Sequence, residues 1–119
     1  MNAADTETTI LGIDPGLNIT GYGVLRNTIQ GLVITEAGVV RTKRKSLPER
    51  LATIYDGICE VIETLQPDCV AVEELYSHYA HPRTAILMGH ARGVICLAAE
   101  KTGIPVYHYA ATQIKKLLT

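Results

Sequence analysis

Ile10-Leu-Gly-Ile-Asp-Pro-Gly16, followed by Thr20-Gly-Tyr-Gly-Val24, decides how the rest of this chain is read. A short apolar strand ends on a single acid, a Pro-Gly turn follows, and a second strand built around small residues comes next. Such a strand buries its apolar positions, and the tight turn holds Asp14 at the rim of a sheet rather than in its core. An acid in that place is within reach of a metal ion or a phosphate; it also fits an ordinary turn residue.

Outward from this segment the hydrophobic period changes in an orderly way, strands first and helices after. Thr9 to Ile13 reads as a buried strand, Gly21 to Arg26 as a second, and Leu32 to Thr42 as a long third, with Asn27-Thr-Ile-Gln-Gly31 as the turn between the last two. Connections this short predict an antiparallel meander. Ser46-Leu-Pro-Glu49 then supplies a capping-box start, and Leu47, Leu51, Ile54, Ile58, Val61, Ile62 and Leu65 form a stripe at helical spacing that stops at Gln66-Pro67. Cys69 to Glu73 is a fourth strand, reached by a helical crossover and so expected parallel to the first. A second helix runs from about Pro82 to Thr102 and stops at Gly103 before Pro105. Val106 to Tyr109 makes a fifth strand, and Thr112 to Leu118 begins another helix. The fold class expected is α/β: a mixed five-stranded sheet flanked by helices, in one domain over residues 1–119.

Glu73 repeats the placement of Asp14, because each closes an apolar strand at its carboxyl end. Side chains alternate along a strand, so Glu73 shares a face with Cys69 and Ala71 while Glu74 points the other way. If strands one and four are parallel neighbours, the two acids project side by side from the edge where open α/β sheets place their ligands. Two carboxylates a few Å apart repel unless a cation lies between them. A divalent site of hard oxygen ligands, suited to Mg²⁺ or Mn²⁺, accounts for the pair; two solvated strand ends account for it equally on spacing alone.

Composition narrows the partners. The net charge is -1, so contact with nucleic acid has to come from local clusters such as Arg41-Thr-Lys-Arg-Lys45 and Lys115-Lys116. Cys59, Cys69 and Cys96 lie in apolar periodic segments with no metal-type spacing and read as reduced core residues. His78, His81, His90 and His108 match no zinc signature. The polar stretch Met1 to Thr9 has no basic apolar leader, and the run Ala85 to Ala99, interrupted by His90 and Arg92, falls short of the roughly 20 residues that span a bilayer. A soluble cytoplasmic protein is expected.

The residues now carry a family resemblance. Leu11-Gly-Ile-Asp-Pro-Gly16 with Thr20-Gly-Tyr-Gly-Val24, Arg41-Thr42 before Leu47-Pro-Glu-Arg-Leu51, Ala71-Val-Glu73, Gly89-His-Ala-Arg-Gly93 and Tyr109-Ala-Ala-Thr-Gln-Ile-Lys115 resemble the bacterial RuvC family of Holliday-junction resolvases. The match runs in order through nearly the whole chain. It implies an RNase H-like fold, a homodimer, and hydrolysis of two opposed phosphodiesters in a four-way DNA junction, with Mg²⁺, or Mn²⁺ as a substitute, at two ions per complete site. A branch-migration complex is a further partner implied by the resemblance. Asp14 falls on the family's first catalytic acid and metal ligand, Glu73 on its second. Tyr76 falls on an aromatic position that contacts bases near the crossover, and Lys115 on a basic position that contacts DNA, with Lys116 and Arg83 as additional cations.

Each of these has its own physical warrant. An exposed loop tyrosine stacks on an unpaired base for about 1–3 kcal/mol, and lysines neutralise phosphate. The second helix is apolar on more than one face, through Ile86, Leu87, Val94, Ile95, Leu97 and Ala98, while Gly89 and Gly93 one turn apart allow close backbone approach. That helix is the expected dimer interface, the alternative being that another helix of the same chain covers it. The resemblance also implies a C-terminal helical segment with another pair of metal ligands, whereas no acid follows Glu100 here. A weakly active or inactive resolvase is therefore expected, with a non-catalytic branched-DNA-binding module as the alternative. A nucleotide-binding fold of the sugar-kinase and actin type ranks last, since its second Asp-Gly phosphate loop and its adenosine motif are not visible.

Overall fold

The computed structural model describes residues 8–42, 46–74 and 82–109, without the side chains of Asn27 and Leu32. The helical start at 112–118 lies outside them. Three strands lead, β1 (Thr8–Asp14), β2 (Ile19–Thr28) and β3 (Gly31–Arg41), followed by α1 (Leu47–Leu65), β4 (Cys69–Glu73), α2 (Pro82–Lys101) and β5 (Val106–Tyr109). The sheet order is β3-β2-β1-β4-β5. β1 pairs antiparallel with β2, and β2 with β3, while β1, β4 and β5 run parallel. This is the mixed five-stranded sheet that the order of periodic segments predicts, with the RNase H-like fold that the family resemblance implies.

The hairpin between β2 and β3 is tighter than expected. β2 continues to Thr28, which pairs with Gly31, so only Ile29 and Gln30 form the turn. Gly31 has φ 110°, a conformation that favours glycine, and the Thr28 hydroxyl donates to the Gly31 carbonyl at 2.8 Å. A local hydroxyl bond and one glycine thus extend the ladder into a segment whose polar composition reads as loop.

Strand alternation divides the sheet into two faces. Leu11 and Ile13 of β1, Val24 of β2, and Val70 and Val72 of β4 turn toward the helices and join Ile54, Ile58 and Ile62 of α1 with Ala91, Ile95, Ala98 and Ala99 of α2 in one core. The small residues of α2 let it lie close to both sheet and α1. Gly57 does the same for α1, since a Cβ there would be 2.8 Å from Cγ1 of Val40. Helix α1 starts at the expected capping box: Ser46 Oγ accepts from the Glu49 backbone N–H and Glu49 Oε1 accepts from the Ser46 N–H. It ends at Gln66, whose left-handed φ of 49° turns the chain before Pro67.

The three cysteines are free thiols, half-buried rather than in the core proper, because they occupy the flanks of their elements. Burial, with the Asp68 carboxylate beside it, pushes the Cys69 thiol up, which keeps it protonated and unreactive near neutral pH. No helix among the described residues is long and apolar enough to cross a membrane.

Candidate metal centre

Asp14 is the last residue of β1 and Glu73 the last of β4. The parallel register runs Ile10 with Cys69, Leu11 with Val70, Gly12 with Ala71 and Ile13 with Val72, so the next position aligns Asp14 with Glu73. Paired residues of neighbouring strands share a face and lie about 4.8 Å apart in the hydrogen-bonding direction. Both acids therefore emerge at the carboxyl edge of the sheet, on the face opposite the helical core. Glu73 is 7% exposed, which sets aside the picture of a solvated strand end. Asp14 is half-buried.

The neighbour of Asp14 on its other side is Gly21 of β2. A Cβ at Gly21 would lie 4.0 Å from the Asp14 Cβ, so the missing side chain leaves that flank of the carboxylate open. The loop after Asp14 is held from three directions. The buried Thr20 hydroxyl donates to the Gly16 carbonyl at 2.7 Å and accepts from the Gly16 N–H at 3.2 Å. The Thr42 hydroxyl donates to the Leu17 carbonyl, and the Thr42 N–H donates to the Asn18 carbonyl at 3.0 Å. Arg50 of α1 reaches over to the Asn18 side-chain oxygen, Nη1 to Oδ1 at 2.8 Å. Gly16 admits no side chain, because a Cβ would run into the Ile19 carbonyl oxygen.

Glu73 is fixed through its backbone. Its carbonyl accepts from Arg92 Nε at 3.2 Å, and the next N–H, that of Glu74, donates to the Tyr109 carbonyl at 2.6 Å. Arg92 also contacts His108 through Nη2 and the imidazole Nδ1. Sequence reasoning took Arg92 as a break in an apolar helix and gave Thr20 and Thr42 no role. The one signal available was their place within the Gly-rich and Arg-containing motifs.

The donor set suits a hard divalent cation, being two carboxylates. Among the described residues no group of three or more His, Cys, Asp or Glu converges, so this pair is the extent of the candidate site there. Arg83 is exposed in the first turn of α2. Gly93 lies on the exposed side of α2 with open space where a side chain would be, and Gly89 is half-buried on its flank. Tyr76, Lys115 and Lys116 lie outside the described residues. A cavity of about 340 Å³ between β3 and α1, bordered by Tyr22, Glu36, Gly57 and Glu60, opens on the helix-covered face and has no part in this site.

A mixed sheet of this order, with an acid pair at the adjacent ends of its central parallel strands, defines an RNase H-like domain. Residues 10–119 match the family model described as crossover junction endodeoxyribonuclease RuvC, and the chain belongs to that family. It is 56% identical over 111 residues to crossover junction endodeoxyribonuclease RuvC of Rhodopirellula baltica, covering 92% of this chain and 62% of that protein. It is 45% identical over 109 residues to the Actinobacillus succinogenes protein of the same name, covering 92% of this chain and 57% of that one. The chain thus spans about three-fifths of the length of these relatives. The structure of T. thermophilus RuvC in complex with a Holliday junction substrate superposes with TM-score 0.79 at 32% identity, over 92% of this chain and 68% of that one.

Proposed function

We propose that this chain is a unit of a structure-specific endodeoxyribonuclease that resolves four-way DNA junctions by divalent-metal-dependent phosphodiester hydrolysis, acting as a homodimer. The observation that carries the reading is the placement of Asp14 and Glu73 one position past the last paired residues, Ile13 and Val72, of two parallel strands, in a chain of the RuvC family.

In this reading Asp14 and Glu73 hold Mg²⁺ or Mn²⁺. A divalent ion bound there supplies Lewis acidity toward a phosphoryl oxygen and a water of lowered pKa. The protein's part is geometric. The Thr20-locked loop keeps Asp14 at the sheet edge, burial restrains Glu73, and Gly21 leaves the approach beside Asp14 clear. The family's two-ion arrangement needs more oxygen donors than these two. Tyr76 stacks on a base near the crossover, while Arg83, Lys115 and Lys116 neutralise phosphates. The dimer forms through α2 around Gly89 and Gly93. A branch-migration complex as partner and a cytoplasmic location belong to the same proposal.

A second reading, a branched-DNA-binding module without catalysis, fits a site in which Asp14 and Glu73 converge without a third ligand among the described residues. A junction-cleavage assay in Mg²⁺ beside a gel shift in EDTA separates the two. Symmetric cleavage that disappears in Asp14→Asn supports the endonuclease. Junction binding without cleavage supports the binding module, and selectivity for neither branched DNA nor metal overturns both. Asp14→Asn should also remove any thermal stabilisation by Mn²⁺ while leaving the metal-free melting temperature unchanged or slightly raised, since it relieves carboxylate repulsion.

A further inference from the structure

We infer that Arg92 is a positioning residue for the metal site, holding Glu73 through its main chain; the inference rests on the metal-binding reading of Asp14 and Glu73. Arg92 lies on α2, half-buried, one residue after Ala91 and three before Ile95, both fully buried in the core. Its guanidinium therefore leaves a helix that cannot move without repacking the core. From there it reaches past the helical layer to the carboxyl ends of β4 and β5. Nε donates to the Glu73 carbonyl at 3.2 Å, and Nη2 meets Nδ1 of His108 on β5. Arginine has no acceptor, so Arg92 is the donor in this contact.

The consequence falls on one peptide plane. The Glu73 carbonyl is held by Arg92, and the N–H of the same peptide, on Glu74, is held by the Tyr109 carbonyl at 2.6 Å. With both ends of that plane tied, the backbone of Glu73 is fixed and so is the direction in which its side chain leaves the strand. The β4–β5 ladder ends at the pair Glu73 and Tyr109. At that end of β4 the Glu74 N–H bond to Tyr109 and the Arg92 fork hold the chain. Only a planar fork can bond the carbonyl and the imidazole together; a lysine ammonium lacks that geometry.

The sign of the effect distinguishes positioning from charge. Arg92 is a cation near a proposed cation site, so its charge by itself opposes metal binding, and removing it would tighten Mn²⁺. Positioning predicts the reverse. The test is the Mn²⁺ dissociation constant, read by electron paramagnetic resonance, for the wild-type chain, Asp14→Asn, Arg92→Gln and Arg92→Lys, with backbone hydrogen exchange over residues 69–74. The expectation is loss of binding in Asp14→Asn, about tenfold weaker binding in Arg92→Gln, an intermediate value in Arg92→Lys, and faster exchange at the end of β4 in both Arg92 variants. Unchanged or tighter Mn²⁺ binding by Arg92→Gln, with Asp14→Asn inactive in binding, overturns this inference and leaves the metal site standing. Failure of the wild-type chain to bind Mn²⁺ overturns the metal site and this inference together. Should Arg92→Gln not fold, Arg92→Lys decides: affinity and exchange equal to wild type overturn the proposal.

Discussion

At the scale of single residues, the acid pair is positioned by groups outside it. Thr20 is the clearest case, a fully buried hydroxyl whose two bonds clasp Gly16 from both its N–H and its carbonyl. Valine has nearly the same shape without the hydroxyl, so Thr20→Val leaves two half-buried backbone groups of the loop without this partner. We expect a loss of about 1–3 kcal/mol in urea unfolding, together with weaker Mn²⁺ binding because the loop no longer fixes Asp14. Full stability with unchanged Mn²⁺ affinity would show that the loop is held by Thr42 and Arg50 alone. Asp14 and Glu73 were legible in the sequence because a period of two and a helical crossover suffice to align two strand-end acids. Thr20, Thr42 and Arg92 were not, because each acts on a backbone carbonyl. A carbonyl has no letter in a sequence, and in the case of Arg92 it lies nineteen positions away.

At the scale of elements, legibility follows the strength of the local code. Helix α1 has a strong apolar stripe and a complete capping box, and it was readable to its first residue. Ser46→Ala removes the side-chain half of that box and should cost about 1 kcal/mol, measured as a shift in the unfolding midpoint at constant slope. No midpoint shift would mean that the first turn is held by packing alone. Strand limits were less readable. β2 begins at Ile19 and not at Gly21, because the Asn18 and Thr42 contact draws the chain into the ladder two residues early. Its far end runs past the expected turn for the same kind of reason, a Thr28 hydroxyl closing the hairpin. Helix α2 was readable as a helix, yet its apolar residues surround it, so the pattern could not say which side meets the core. The buried set Ala91, Ile95, Ala98 and Ala99 settles that, and leaves Ile86, His90, Gly93 and Leu97 outside.

At the scale of the whole molecule, those exposed residues matter because of their spacing. Positions 86, 90, 93 and 97 recur at four, three and four residues, the pattern of a helix seam that packs on a second helix. Ile86 is 62% exposed and Leu97 52%, and Gly93 leaves an indentation between them. A two-fold axis through this seam would make a self-complementary interface and present two acid pairs to two strands of a symmetric junction. Because both acids of a pair come from one chain, metal binding and association are separable. Leu97→Glu puts a charge in the seam of each protomer, where the two would face one another, and it touches neither the core nor Glu73. We expect it to shift the chain from dimer to monomer in sedimentation velocity while leaving the Mn²⁺ affinity per chain within about twofold, since additivity holds for distant sites. Junction binding should fall more than binding to linear duplex, because only the junction rewards two sites held in fixed relation. With a net charge of -1 the chain has no general attraction for DNA, so what remains in the monomer should be strongly salt-dependent, governed by local cationic contacts. A Leu97→Glu chain that stays dimeric, or a wild-type chain that is monomeric throughout, would move the interface away from α2 and leave its exposed stripe without this role.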